Sequence, residues 1–144
     1  MDNLTKLEVA VMEQVDRRFS ETIDFLQAMV RQPSTLGNEK GVQEVVYQRL
    51  QALGLAPEMW DLDLTVLKQH PNFGPLELSY QNRPNVTSVW KAAAPGGKSV
   101  VFNGHVDVVS AEPLVNWSHN PYGAEIIDDW ISIQPPRPPT SVFS

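Results

Sequence analysis

Apolar residues recur every three or four positions over the first part of the chain, which is the spacing of one helix face. This stripe consists of Met12, Val15, Phe19, Ile23, Leu26 and Val30. Charged and polar residues fill the positions between them. Because Pro33 disfavours helical geometry in the residue before it, the pattern predicts one helix over residues 4–31.

A second helical stripe follows, made of Val42, Val45, Val46, Leu50 and Leu53. Asn38 has the residue type of an N-cap, and Glu39 suits the positive end of a helix. Gly54 is typical of the residue that ends a helix in the left-handed conformation, with Leu55 available for the accompanying apolar contact. The pattern predicts a helix that begins after Asn38 and ends before Gly54.

Beyond Pro57 the pattern changes to short apolar runs separated by polar segments. The run MWDLDL (59–64) predicts a short strand, and the polar residues 68–84 predict an irregular connection. The runs VTSVWKA (86–92) and SVVF (99–102) flank a Pro-Gly-Gly turn, which predicts a hairpin or two adjacent strands. A last extended segment, 122–127, ends at Asp128 and Asp129.

The composition is that of one ordinary globular domain of 144 residues, 42% of them hydrophobic. The absence of cysteine excludes disulfides, thiolate nucleophiles and Cys-type zinc sites. A net charge of −6 gives no basic footprint for nucleic acid or an anionic membrane. With no secretion signal and no membrane-length apolar run, we expect a cytoplasmic protein. Four prolines within residues 135–139 separate a tail, 131–144, from a folded part, 1–130.

Candidate chemistry lies in the run VVFNGHVDVV (100–109), where His105 and Asp107 follow a buried-looking strand. Side chains two positions apart on a strand point the same way, so the two side chains can face one cavity. A neutral imidazole is a metal ligand, and a nearby carboxylate can fix its orientation. On spacing alone an ordinary polar pair is the more common interpretation of His-x-Asp.

The surroundings of this motif resemble the metal-dependent deacylases related to acetylornithine deacetylase, succinyl-diaminopimelate desuccinylase, aminoacylase and carboxypeptidase G. The residues that match that family's first metal-ligand segment, in order, are Gly104, His105, Asp107, Val108, Val109, Trp117, Pro121, Tyr122 and Asp128. Upstream, the loop Gln32-Pro33-Ser34 and the helix ending at 53–55 are also similar, so that the resemblance covers residues 17–130.

The resemblance implies an α/β fold: the incomplete N-terminal part of a mixed-sheet, zinc-exopeptidase-like catalytic domain with helices packed on the sheet. Residues 1–130 would be a partial metallohydrolase domain. His105 would bind one zinc of a two-metal site, with cobalt or manganese as alternative metals, and Asp107 would be the catalytic-site acid that positions it. The substrates would be small N-acylated amino acids or peptides.

The sequence departs from that family where a Gly-Arg-Gly segment ending in Asp-Met-Lys, with a bridging Asp, should follow. Here the chain reads ISIQPPRPPTSVFS (131–144), and the general base and further ligands have no counterpart. His70 and His119 are expected on the surface, and Asp128 and Asp129 in a hairpin turn. We therefore expect a truncated hydrolase that is inactive alone and is marginally stable, aggregation-prone or dependent on a partner. The loss of pattern at Ile131 resembles a frameshift or a premature stop, and a native end is the alternative.

Two alternatives remain open. The Pro-x-x-Pro spacing of Pro135 and Pro138 beside Arg137 could make the chain a non-catalytic interaction module, although an extended tail is the more common interpretation. The chain could also be one fragment of a split enzyme whose missing ligands come from a second polypeptide.

Overall fold

A computed structural model describes residues 4–74, 79–94, 96–128 and 130–131, which form helices and short antiparallel strands. The elements in chain order are α1 (Lys6–Arg17), α2 (Phe19–Val30), α3 (Lys40–Ala52), β1 (Glu58–Trp60), α4 (Leu64–Leu67), β2 (Asn85–Thr87), a 3₁₀ turn (Leu114–Asn116), β3 (Ile126–Ile127) and β4 (Trp130–Ile131). Of the predicted proline-rich tail, residues 132–144 lie outside the described residues.

The first apolar stripe forms two helices, so the prediction of one helix over residues 4–31 is wrong at Arg18. The backbone of Arg18 leaves helical geometry, with φ −99° and ψ 5°. Helix α1 begins at a capping box formed by Thr5 and Glu8 but buries none of its residues. Helix α2 contacts α3, where Arg49 Nη2 lies 3.1 Å from Glu21 Oε2. The break thus separates α1 from the helix that packs against α3.

The end of α3 is as predicted from Gly54. Gly54 has φ +77°, and its amide donates to the carbonyl of Gln51 at 2.9 Å. The amide of Leu55 donates to the carbonyl of Leu50 at 3.1 Å. These two bonds form a Schellman motif, which satisfies carbonyls that the helix leaves without partners.

The strands form two separate antiparallel pairs. In the first pair Met59 of β1 faces Val86 of β2, and Trp60 Nε1 donates to Thr87 Oγ1 at 3.2 Å. In the second pair β3 and β4 join through a turn in which Asp128 has φ +48°. The predicted strand at 59–64 is therefore shorter, since α4 begins at Leu64, and the hairpin turn at Asp128 is confirmed.

The predicted pairing of residues 86–92 with 99–102 does not form. Residues 85–87 pair with β1 instead, and residues 99–102 form no strand, leaving Phe102 95% exposed. A mixed sheet is likewise absent from the described ranges, where parallel pairing is reduced to one bridge between Thr35 and Val108. Backbone groups need a ladder partner to form a strand, and an apolar run alone does not supply one.

Buried residues concentrate around the start of α3 and the segments that contact it. Those classed as buried are Ser34, Glu39, Val42, Pro57, Pro84, Ala111 and Ala124. The segment near Ala124 is attached to α2, because Gln27 Nε2 donates to the carbonyl of Ala124 at 2.7 Å. Among the described residues, no helix is long and apolar enough to cross a bilayer.

Candidate functional site

His105 and Asp107 lie together, on an extended segment rather than at the end of a strand. The distance between His105 Nδ1 and Asp107 Oδ1 is 3.2 Å. Because an ionised carboxylate can only accept hydrogen bonds, this contact favours the tautomer with its proton on Nδ1. The lone pair of Nε2 is then free, and the His105 side chain is 84% exposed. The expected strand that presents the pair is wrong, since residues 99–107 form no strand.

Both side chains line a shallow cavity of about 250 Å³. The other lining residues are Glu39, Gln43, Leu62, Tyr80, Arg83, Pro84, Asn85, Asn103, Gly104 and Val106. No described atom lies within 4 Å of where a Gly104 side chain would begin, so the glycine is not needed there for a close backbone approach. The shared orientation of His105 and Asp107 is the one that their spacing predicts.

The opposite wall of the cavity is built on an ion pair between Glu39 and Arg83. Arg83 Nε lies 3.0 Å from both carboxylate oxygens of Glu39, and Arg83 Nη2 lies 2.6 Å from Oε1. Gly37 adds a backbone hydrogen bond to Oε1 at 3.0 Å, and the guanidinium stacks 4.9 Å above the Tyr80 ring. Glu39 is only 6% exposed, so the pair is held away from solvent.

The pKa values of this pair shift in the directions that favour both charges. Burial raises the pKa of Glu39, but the hydrogen bonds from Arg83 and Gly37, together with the charge of Arg83, lower it below its ordinary value of 4.5. The hydrogen bond to Glu39 raises the pKa of Arg83, burial opposes this, and the charges of Glu39 and Asp107 add to the rise. The pair is therefore ionised at neutral pH.

The cavity has an excess of negative charge. Two carboxylates, Glu39 and Asp107, line it together with one guanidinium, Arg83. The guanidinium is already neutralised by Glu39, so the carboxylate of Asp107 dominates the field near the imidazole. Such a field favours a cation over an anion beside His105.

The connection between α2 and α3 forms hydrogen bonds with the backbone of the His-x-Asp segment. Ser34 Oγ donates to the carbonyl of Val106 at 2.7 Å, and the amide of Val108 donates to the carbonyl of Ser34 at 3.0 Å. The expectation that Asn38 caps α3 is wrong, because Glu39 occupies the cap and Asn38 Nδ2 donates to the carbonyl of Pro33. The connection is thus held by an internal hydrogen bond and attached to residues 106–108 through Ser34.

The other histidines and aspartates that were not expected in the site lie elsewhere. His70 accepts a hydrogen bond at Nδ1 from the amide of Asn72, and His119 Nδ1 lies 3.2 Å from Glu125 Oε2. Neither histidine lines the cavity, and Asp128 occupies the β3–β4 turn. Asp129 lies outside the described residues.

The side chains at this cavity do not form the complete zinc site that the resemblance implies. Catalytic zinc sites usually have about three protein ligands and an open position. In the part of the chain that the structure describes, no group of three or more metal-binding side chains is present. His105 is exposed, and its contact with Asp107 favours the tautomer of a metal ligand, but the described residues do not complete a zinc site.

Sequence reasoning missed Ser34, Glu39, Tyr80 and Arg83. Arg83 lies in the polar connection, and Glu39 was assigned only to the first turn of a helix. Their ion pair joins residues 44 positions apart, and a contact of that separation leaves no periodic signal in one sequence. The one available signal was Ser34 in the Gln-Pro-Ser loop, which carried part of the deacylase resemblance.

Comparison with known proteins identifies relatives for this region, although no family model matches the chain. It is 31% identical over 109 residues to the succinyl-diaminopimelate desuccinylase of Hahella chejuensis, a match that covers 76% of this chain and 23% of the relative. It is 30% identical over 112 residues to that of Hydrogenovibrio crunogenus, covering 78% and 24%. The match to the Ralstonia nicotianae desuccinylase is 30% over 107 residues, covering 72% and 24%.

The chain resembles part of a desuccinylase. It spans about a quarter of the length of these relatives. A match of 112 residues within a chain of 144 must include residues 33–112 wherever it begins, so the shared region contains both His105 and Asp107. The relatives support the deacylase resemblance and a hydrolase-like protein of which this chain corresponds to one part.

Proposed function

We propose that this chain is one part of a metal-dependent amide hydrolase of the deacylase family, with small N-acylated amino acids as its substrate class. One observation carries the proposal. The imidazole of His105, oriented by Asp107 at 3.2 Å, lies on an open cavity wall within the region shared with desuccinylases. Succinylated diaminopimelate is the first substrate to test, because the relatives are named for it.

In this proposal His105 Nε2 binds one metal ion, with zinc as the first candidate and cobalt or manganese as alternatives. Asp107 holds the ring in the tautomer that leaves Nε2 unprotonated. The excess negative charge beside His105 supports cation binding. At the cavity the described residues offer a single His–carboxylate pair, so we expect no activity from this chain alone. The further ligands would come from residues other than the described ones.

The alternative of an interaction module depends on Pro135 and Pro138. Both lie outside the described residues, so no described contact favours it. The alternative of a split enzyme is compatible with the proposal and determines the experiment that tests it.

The experiment combines this chain with a second polypeptide, the part of the Hahella chejuensis desuccinylase that the chain does not span. Bound metal is measured by elemental analysis and activity by release of succinate. We expect both in the mixture and neither activity nor stoichiometric metal in the chain alone. His105→Ala should remove both, and Asp107→Asn should weaken metal affinity by about 10- to 100-fold.

The chain supplies matched controls in its two other histidines. His70→Ala and His119→Ala change the same residue type outside the cavity and should leave metal content and activity unchanged. Metal and activity that survive His105→Ala would overturn the site assignment. A wild-type mixture without metal uptake or activity would count against the hydrolase itself.

A further inference from the structure

Two hydrogen bonds fix the backbone on either side of Asp107. The hydroxyl of Ser34 donates to the carbonyl of Val106 at 2.7 Å, and the carbonyl of Ser34 accepts from the amide of Val108 at 3.0 Å. Both bonds involve one residue that is only 3% exposed. Thr35 and Val108 continue this contact as a parallel bridge.

The remainder of the segment has little else to hold it. Within the described ranges, the backbone of residues 103–109 is tied to the rest of the chain only by these two bonds and the bridge to Thr35. Val101 and Phe102 immediately before it are almost fully exposed. The direction of the peptide between His105 and Asp107 therefore depends on the contact with Ser34.

We propose that Ser34 is a positioning residue for the His105–Asp107 pair. The role of this pair in metal binding rests on the proposed function. The Ser34 hydroxyl orients the carbonyl of the intervening Val106, and this fixes the backbone angles that bring the two side chains together. Both hydrogen bonds of Ser34 to this segment go to its backbone, so we expect its effect to be exerted through the backbone. Removing the hydroxyl should loosen the His–Asp contact without removing either partner.

The tautomer of His105 reports this contact without any metal or substrate. In ¹⁵N-labelled chain at about pH 9, where imidazoles are uncharged, ring nitrogen shifts distinguish protonation at Nδ1 from protonation at Nε2. We expect His105 and His119 to carry the proton on Nδ1, because each has a carboxylate 3.2 Å away. His70 should carry it on Nε2, because its Nδ1 accepts from Asn72.

Ser34→Ala should lower the Nδ1-to-Nε2 proton ratio of His105 by about fivefold, the equilibrium factor of one ordinary hydrogen bond. The ratios of His70 and His119 should not change. Hydrogen exchange of the Val108 amide should accelerate by a similar factor relative to amides of α3. Ser88→Ala is the matched control, because the buried Ser88 hydroxyl has no hydrogen-bond partner among the described residues.

If Ser34→Ala unfolds the chain, Ser34→Thr and Ser34→Val decide the matter. These variants have nearly the same shape and differ in the presence of the hydroxyl. A His105 tautomer ratio preserved in Thr and lost in Val supports the proposal, and equal ratios overturn it. An unchanged ratio and unchanged Val108 exchange in folded Ser34→Ala also overturn it.

The experiment separates this inference from the proposed function. A tautomer change in Ser34→Ala, together with metal content and activity that survive His105→Ala in the reconstituted mixture, would keep the positioning role and reject the hydrolase assignment. An active mixture that requires His105, together with an unchanged tautomer in Ser34→Ala, would keep the hydrolase assignment and reject the positioning role.

Discussion

Two apolar regions of this chain have opposite environments. Val42 in α3 is 2% exposed, whereas Phe102 in the run SVVF is 95% exposed. Helix α3 contacts α2 on one side and β2 on another. Residues 99–102 have no strand beside them in the described part of the chain, although their composition is the more strongly β-forming of the two.

The difference shows that burial is decided by partners rather than by composition. The elements that contact α3 lie near it in the sequence, since α2 begins at Phe19 and β2 ends at Thr87. The run at 99–102 has the pattern of a core strand, but a core strand requires neighbours on both edges and cover on its faces. An apolar run indicates that its side chains need to be buried, but it does not indicate which element of the chain buries them.

The largest expected effect is on the anchored region, which consists of α3 and the elements it contacts, α2 and β2. It comes from breaking the Glu39–Arg83 ion pair that lines the cavity. Glu39→Ala leaves the guanidinium of Arg83 partly buried without its partner, which should lower the free energy of unfolding by about 3–5 kcal/mol. Urea denaturation measures this. Glu44→Ala is the matched control, because Glu44 forms only an exposed pair with Lys40 and its loss should cost about 0.5 kcal/mol or less. Equal effects would contradict the difference between the buried pair and the exposed one.

Truncating a buried side chain in the same region should lower the free energy of unfolding by a somewhat smaller amount. Val42→Ala removes two methyl groups from a fully buried site and should cost about 2 kcal/mol. Val11→Ala makes the same change on the exposed face of α1 and should stay within about 0.5 kcal/mol of wild type. Comparable losses at Val11 and Val42 would mean that α1 packs in solution.

The stability of the anchored region should also depend on pH. Because the folded pKa of Glu39 lies below its ordinary value of 4.5, the unfolded chain binds the proton more readily, and stability falls as pH drops below that value. The contribution is fully present at neutral pH. Glu39→Gln lacks this titration, so the difference in unfolding free energy between the variant and wild type should narrow from pH 7 towards pH 3. A constant difference would contradict the ionised pair.

The smallest effect on stability is expected in the exposed run at residues 99–102. Phe102→Ser should change the free energy of unfolding by no more than about 0.5 kcal/mol, because the ring makes almost no contacts. It should reduce self-association, which size-exclusion chromatography with light scattering detects. A monodisperse wild-type chain with a cooperative thermal transition would contradict the sequence-based expectation of marginal stability.

Local signals predicted local structure well in this chain. The periodicity of α3 and the glycine at its end gave the helix and its Schellman motif, because capping depends on neighbours a few residues away. The break at Arg18 and the pairing of β1 with β2 were missed. Periodicity continues through Arg18, and nothing local links residue 59 to residue 86.

At the candidate site, too, the local contact could be predicted and the long-range contacts could not. His105 and Asp107 are two residues apart, so their shared orientation follows from backbone geometry. Ser34 and Arg83 reach the site through contacts with residues 72 and 44 positions away. Such contacts arise only when the chain folds back, so the sequence indicated the contact between His105 and Asp107 but not the residues that hold their segment.

The long-range contacts of this structure have an order of formation built into their sequence positions. Glu39–Arg83 lies within the loop closed by Ser34–Val106, which in turn lies within the loop closed by Gln27–Ala124. Because closing a short loop costs less chain entropy than closing a long one, each inner closure makes the next outer one easier. We expect refolding to proceed outward from Glu39–Arg83, so that in pulsed hydrogen exchange the amides of α3 become protected before that of Val108.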